Sequence, residues 1–423
     1  MKNILLYTTA FFFIILCSAC ETDFTNPGAS TEGDVVTSPD GLELLTRGLH
    51  RRWSVGRQSP VYTTVTASGF TTGELRLINP GNISENELSL GGSDLDGSNT
   101  IVSNIWEQAL ITRNEARTVL ENIDIITDPQ LQNGVASYAH LFAGIANGTL
   151  ATFFEQVTLV SEPEAMFSTR DDALRAAITD LDAAISAASQ SGGYTQFNIN
   201  ALNAARALKA RYHNMLGEHA AAIDAANAVD LSSVSLFTYD AVNTNPIAFV
   251  SILTNNVFQP VDLSLGLPDG LQPDPSDGRL PFYFADINPD MNDFRGGAFF
   301  DGNEDGIPVY VPGEMQLIIA EAQARQGNVD AAIAALNSVL TKMPEDDALG
   351  IGAGLPAYSG ENTSDAVLDA IYTNRAMELM MSGLRLEDSR RFARPDAERN
   401  RSYYPYPNSE RDNNPNTPGD PTI

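Results

Sequence analysis

Cysteine is nearly absent from this chain, and the two that exist, Cys17 and Cys20, lie within the first twenty residues. A disulfide framework or a thiolate metal cluster in the body of the protein is therefore excluded. Lysine is almost as scarce. Lys2, Lys209 and Lys342 are the whole complement, and 25 basic against 54 acidic residues leave a formal net charge of −29. That balance excludes a nucleic-acid partner, because every phosphate contact needs a basic group. An acidic, lysine-poor surface of this kind stays soluble in strong salt and suits a saline habitat. Histidine is limited to His50, His140, His213 and His219, without HExxH or another ligating spacing. No G-x-S-x-G elbow, P-loop or dinucleotide fingerprint occurs either. What is present is ordinary for a folded chain: 43 % hydrophobic and 19 % charged residues over 423 positions.

The mostly apolar run Ile4–Leu16 is too short to span a bilayer and is preceded by Lys2. A charged start, an apolar core and the small residues Ser18-Ala19 before Cys20 describe a secretory signal. Small residues directly before a cysteine also resemble a bacterial lipobox, although Cys17 stands where leucine is usual. The expectation is a signal peptide over 1–19, lipidation at Cys20 and a polar tether over 20–37.

The remainder reads as one domain, 38–423. Ser38 and Pro39 form a cap and first-turn pair ahead of Leu42, Leu45, Leu49 and Trp53, which share one helical face. The text from Val55 to Ser98 reads as loop and short strand. Further helices are expected from about Ser98 to Ile123, Gly134 to Phe154 and Thr169 to Ala188. Then a pattern repeats. Ala201–Val229 turns at Gly217 and continues with Ala220-Ala221-Ala222-Ile223, and Pro312–Leu340 turns at Gly327 and continues with Ala331-Ala332-Ile333. A glycine at the helix end and small residues opening the next helix match tetratricopeptide-like helix pairs. The fold class is thus mostly α, a helical-repeat solenoid over about 38–229 and 312–392. The Pro-, Gly- and Asp-rich stretch 230–311 is too long for a linker and reads as a loop-rich insertion on one face. Residues 394–423 read as an extended tail on the surface.

Two groups of candidate site residues follow. The tandem aromatics Tyr283-Phe284 and Phe299-Phe300 lie in the insertion, where at least one ring of each pair is expected to escape the core; Phe70 is a further candidate. Exposed rings of this kind cover the apolar faces of sugar rings. Trp53 and Trp106, at helical apolar spacings, read instead as core. The loop Asp301-Gly302-Asn303-Glu304-Asp305-Gly306 places oxygen ligands Asp301, Asn303 and Asp305 at alternate positions with glycine sixth, as calcium loops do, but Pro312 stands where the bidentate Glu belongs. A structural Ca2+ there is one expectation and a solvated acidic turn the other.

Several segments resemble the SusD/RagB family of Bacteroidetes outer-membrane lipoproteins. Glu314-Met315 to Ala324 before Gly327-Asn328 is similar to the family's "E-M-x-L-I-x-A-E-A" helix and its Gly-Asn turn. Arg375, Glu378, Leu379, Gly383, Arg385, Asp388 and Arg390-Arg391 resemble its "R-x-x-E-L-x-x-E-G-x-R-x-x-D-x-R-R" signature, with Ser382 in place of a glutamate. Tyr404-Pro405-Tyr406-Pro407-Asn408-Ser409-Glu410 and Asn414-Pro415-Asn416 resemble its closing segment. Read physically, Arg375–Glu378 and Arg385–Asp388 are helix neighbours able to pair. The resemblance implies a non-enzymatic, lipid-anchored cell-surface protein of the outer membrane. It would capture glycan or oligosaccharide, or peptide, and deliver it to a SusC-like TonB-dependent transporter. A surface glycan hydrolase and a helical scaffold for other envelope proteins are the alternatives.

Overall fold

The computed structural model describes residues 36–422; Cys17, Cys20 and nearly all of the expected tether lie outside them. Helix α1 (Pro39–Ser54) begins as the sequence predicts, with the Ser38 hydroxyl accepting from the Gly41 amide at 3.1 Å and Pro39 in the first turn. Helix α2 (Pro60–Thr71) uses the same device, Ser59 followed by Pro60, and every residue but Thr64 is buried. It was expected to be loop. Its Val- and Thr-rich text has little helical propensity of its own, so burial on all sides supplies what propensity does not.

The helices α3 (Ile83–Leu90), α4 (Thr100–Glu121), α5 (Pro129–Phe153), α6 (Arg170–Gln190), α7 (Ala201–Met215) and α8 (His219–Asn227) follow, then α9 (Pro312–Arg325), α10 (Val329–Leu340) and α11 (Ser364–Glu378). From α4 to α9 each helix packs on the next in the chain, α8 meeting α9 across the insertion, and α9 also packs on α10 and α11. Gly217 and Gly327 carry φ of +71° and +79° at the two predicted turns, a conformation that costs an L side chain strain. Close approach in the middle of the stack depends on small residues. A Cβ on Gly148 of α5 would lie 2.0 Å from the Tyr212 ring of α7, and one on Gly144 would lie 2.9 Å from Leu181 of α6.

Between α8 and α9 the chain forms a second layer without long helices. It contains most of four two-stranded antiparallel sheets: β1 (Leu75–Leu77) with β5 (Phe258–Pro260), β2 (Gln156–Thr158) with β3 (Phe167–Thr169), β4 (Leu236–Phe237) with β8 (Ile307–Pro308), and β6 (Phe284–Asn288) with β7 (Asp293–Gly296). The β1–β5 pairing ties this layer to the loop after α2, opposing Leu75 to Pro260 and Leu77 to Phe258.

The C-terminal part locks the two layers together. After α11, Gly383 (φ +81°) turns the chain into α12 (Arg385–Arg391), and the tail carries one short helix, α13 (Asn408–Asn413). The tail is less superficial than expected. Tyr404 and Tyr406 are fully buried; Tyr404 shares a 2.8 Å hydrogen bond with the Thr71 hydroxyl, and Tyr406 packs edge-on against Trp106. Alternating buried tyrosines with prolines holds the segment extended while inserting a ring at every second residue.

Most of the signature arginines and acids are buried, but neither Arg375–Glu378 nor Arg385–Asp388 forms the expected neighbour pair. Arg375 donates twice to Asp388 (2.9 Å each), whereas Glu378 accepts from Arg279 at 3.1 Å and from Lys342 at 2.9 Å. Arg391 and Arg325 both donate to Glu321. Burial alone would push the Glu321 carboxyl up, yet the guanidiniums of Arg391, Arg375 and Arg325 hold it far below the carboxylate range. Groups this deeply buried need charge-assisted partners; Arg375 finds Asp388 on another element, while Arg325 reaches Glu321 and Arg391 reaches Asp388 from the neighbouring turn.

Candidate functional site

The four tandem aromatics and Phe70 are placed differently from the sequence expectation. Tyr283, Phe284, Phe300 and Phe70 are all buried, and Phe299 is half-buried. The Tyr283–Phe284 pair contributes no exposed ring. Tyr283 donates its hydroxyl to the Glu378 carbonyl at 2.8 Å and so sits against the end of α11, while Phe284 opens the hairpin strand β6 with its ring in the core. Burial pushes the Tyr283 phenol far above its ordinary range, so it stays protonated and keeps donating. Irregular backbone does not by itself expose a ring, because an irregular layer has an inner face too. Trp53 and Trp106 are core residues, as their spacing predicts.

Three of the predicted rings nonetheless meet at one place. Tyr283, Phe299 and Phe300 line a cavity of about 130 Å3 between the helical stack and the insertion. Helices α1, α2, α5 and α7 contribute Trp53, Val65, Ile145 and Tyr212, and the turn 379–384 closes another side. That turn is held in shape by Glu74, whose buried carboxylate accepts from the Met381 amide at 2.9 Å, Met381 itself having φ +54°. A bidentate pair, Arg211 to Glu314 at 2.6 and 2.7 Å, forms part of the wall, so its charges are matched before any ligand arrives.

The exposed ring lies elsewhere in the insertion. Phe249, 46 % exposed, is the sole aromatic classed as exposed among the described residues. Asn245 caps the segment by accepting from the Ile247 and Ala248 amides, and Pro246 occupies the first turn. The Asn245 side chain also donates to the carbonyls of Phe299 and Asp305, fixing the segment to the neighbouring loop. From Phe249 to Leu253 the backbone forms one π-helical turn, with the Thr254 amide reaching the Phe249 carbonyl at 3.0 Å. Such single turns often mark functional positions. Leu253, 51 % exposed, follows four residues later; this turn packs on β5 and β7, and Ile287 on β6, beside β7, is 39 % exposed. Polar groups stand close by: Asp293 and Arg295 pair on β7 at 3.0 Å, and Arg76 donates to the Asn292 carbonyl at the hairpin turn. The sequence carried a usable signal for this element, Asn245-Pro246, the same cap pattern as Ser38-Pro39.

The acidic loop closes on itself. Asp305, expected as a calcium ligand, accepts from the Gly302 amide at 2.6 Å; the Asn303 carbonyl accepts from the Asn245 amide at 2.7 Å, and Asp301 is exposed. Among the described residues no group of three or more His, Cys, Asp or Glu side chains is placed to hold a metal ion.

Residues 297–420, which include the paired arginines, the Gly383 turn and the tyrosine-anchored tail, match the SusD family model. Over that segment the chain is similar to the SusD family. Its fold is that of solved SusD superfamily structures. A SusD superfamily protein from Bacteroides fragilis superposes with a TM-score of 0.69 at 16 % identity, covering 90 % of this chain and 99 % of that one. A putative sugar binding protein from Bacteroides vulgatus gives 0.71 at 16 % identity, covering 91 % and 98 %. A SusD-like carbohydrate binding protein from Bacteroides fragilis gives 0.63 at 15 % identity, covering 85 % and 87 %. No curated protein matches the sequence. At these identities what the four chains share is the fold.

Proposed function

We propose that this SusD-like protein captures glycans or oligosaccharides at the cell surface and passes them to a SusC-like TonB-dependent transporter, held to the outer membrane by a lipid on Cys20. The observation that carries the reading is Phe249: an aromatic face presented to solvent by a built, capped turn of the insertion that packs on β7, the strand carrying the Asp293–Arg295 pair. The likeness in fold to proteins described as sugar or carbohydrate binding supports it. Action by binding rather than by hydrolysis is supported by the buried acids. Glu314, Glu321, Glu378 and Asp388 are each committed to arginine or lysine partners, which leaves none of them free as a protonated acid opposite a base.

A glycan and peptide array probed with the body of the protein (residues 21–423) tests the ligand class. Retention on oligosaccharides is expected; retention on peptides alone would overturn the glycan reading. For the anchor, Cys20→Ala is expected to move the protein from the detergent phase to the aqueous phase on partitioning. A variant that still partitions with lipid would remove the lipoprotein assignment.

A further inference from the structure

The cavity between the helical stack and the insertion has features that glycan capture at Phe249 does not use. Its walls are rings and aliphatic side chains, among them Trp53, Val65, Ile145, Phe237, Tyr283 and Phe300. Its charged members are already neutralised, Arg211 by Glu314, and Glu378 by Arg279 and Lys342. Two polar groups stand out because they are unspent. Tyr212 is 3 % exposed and Trp53 4 % exposed, and among the described residues nothing hydrogen-bonds the Tyr212 hydroxyl or the Trp53 indole N–H. Neither atom is sealed off from a small probe, so a ligand can reach both. The Tyr212 ring is held in place by Gly148, where any side chain would strike it. Several lining residues also reach solvent: Thr64, Thr149, Phe299 and Pro308 are half-buried and Ser382 is exposed, so they mark an entrance.

We infer that this cavity is a second binding site, distinct from the glycan surface, for a small uncharged single-ring molecule carrying one oxygen, of the phenol class. Size sets the first limit. About 130 Å3 is close to the volume of apolar cavities that take up benzene. Polarity sets the second. A monosaccharide brings five or so hydroxyls, each costly to bury unpaired; the other polar lining groups are already paired, and apart from Tyr212 and Trp53 the unpartnered hydroxyls are those of Thr149 and Ser382 at the entrance. A carboxylate or amine would enter without a counter-charge, since Arg211, Glu314 and Glu378 are already matched. A ring with one oxygen satisfies both remaining conditions: it fills the apolar volume against the flanking aromatics, and its oxygen accepts from Tyr212 or Trp53.

The test uses 4-fluorophenol and fluorobenzene as probes, followed by fluorine NMR on the body of the protein. Saturable binding of 4-fluorophenol is expected, with fluorobenzene weaker. Tyr212→Phe removes only the hydroxyl and is expected to weaken 4-fluorophenol about five- to tenfold while leaving fluorobenzene unchanged. Its melt should match the native one, because that hydroxyl has no protein partner to lose. Val65→Phe, which fills the cavity, is expected to abolish binding of both probes. Absence of saturable binding in the native protein overturns the inference. So does binding that neither variant changes, which would place the ligand elsewhere. Either result leaves glycan capture at Phe249 untouched, since that surface shares no residue with the cavity.

Discussion

Removing Arg279 is expected to be among the most damaging single changes in this molecule. Its guanidinium is 1 % exposed and lies at the centre of a charge cluster joining the insertion to α11. It donates to Asp277 at 2.9 and 2.7 Å, to Glu378 at 3.1 Å and to the Asn374 side chain at 2.7 Å. Arg279→Met keeps much of the apolar stem but strands Asp277 and leaves Glu378 with Lys342 as its one remaining cation. Breaking a buried pair from one side costs about 3–5 kcal/mol, because the surviving charge keeps its desolvation penalty and loses its partner. With unfolding entropy near 2.1 cal/mol/K per residue over roughly 390 folded residues, the midpoint should fall by about 5 °C. Differential scanning calorimetry reads this directly. Adding Asp277→Asn removes one stranded charge and should recover a clear part of the loss. A midpoint unchanged within about 1 °C in Arg279→Met, or a double variant that falls further by the full sum, would refute the buried-charge reasoning.

Acidification should weaken the fold through His50. Its ring is buried and stacked on Phe197 at 4.4 Å, and burial pulls its pKa down to about 4, so it is neutral in the native state. An unfolded histidine titrates near 6.5. The contribution is therefore complete above pH 6.5 and is lost progressively as pH falls towards 4, up to about 3 kcal/mol. Urea titrations across that window should show the slope in the native protein and a flatter one in His50→Leu; equal slopes would exclude His50 as the source. In the acidic loop, Asp305→Ala removes the carboxylate that accepts from the Gly302 amide and should lower the melt by about 1–2 °C. Melts of the native protein in calcium and in chelator should coincide; a clear difference would restore a cation to Asp301, Asn303 and Asp305.

Much of the helical stack was legible because its signals are local. Ser38-Pro39 set a helix start, and Gly217 and Gly327 set turns whose positive φ demands glycine. The insertion stood out by composition. What was not legible depends on partners far away in sequence. Helix α2 forms from Val- and Thr-rich text because it is enclosed by other elements. Arg375 and Glu378 looked like a helical pair, but each found a deeper partner, Asp388 and Arg279, through contacts that spacing cannot reveal. The aromatics failed for a related reason: Tyr283 and Phe300 face inward from irregular backbone, and composition does not distinguish the two faces of a loop layer. At Phe249 the Asn245-Pro246 cap marks the turn, but no apolar periodicity follows it to mark a helix.

The most direct test of the account is an isothermal titration of the best array oligosaccharide into the native body and into Phe249→Ala. Phe249 is 46 % exposed, so its removal should leave the melt within about 1 °C of native. Loss of one ring face against a sugar should weaken binding by about 1–3 kcal/mol, roughly five- to hundredfold. An unchanged dissociation constant with an unchanged melt would contradict the account and move the glycan surface away from the insertion turn.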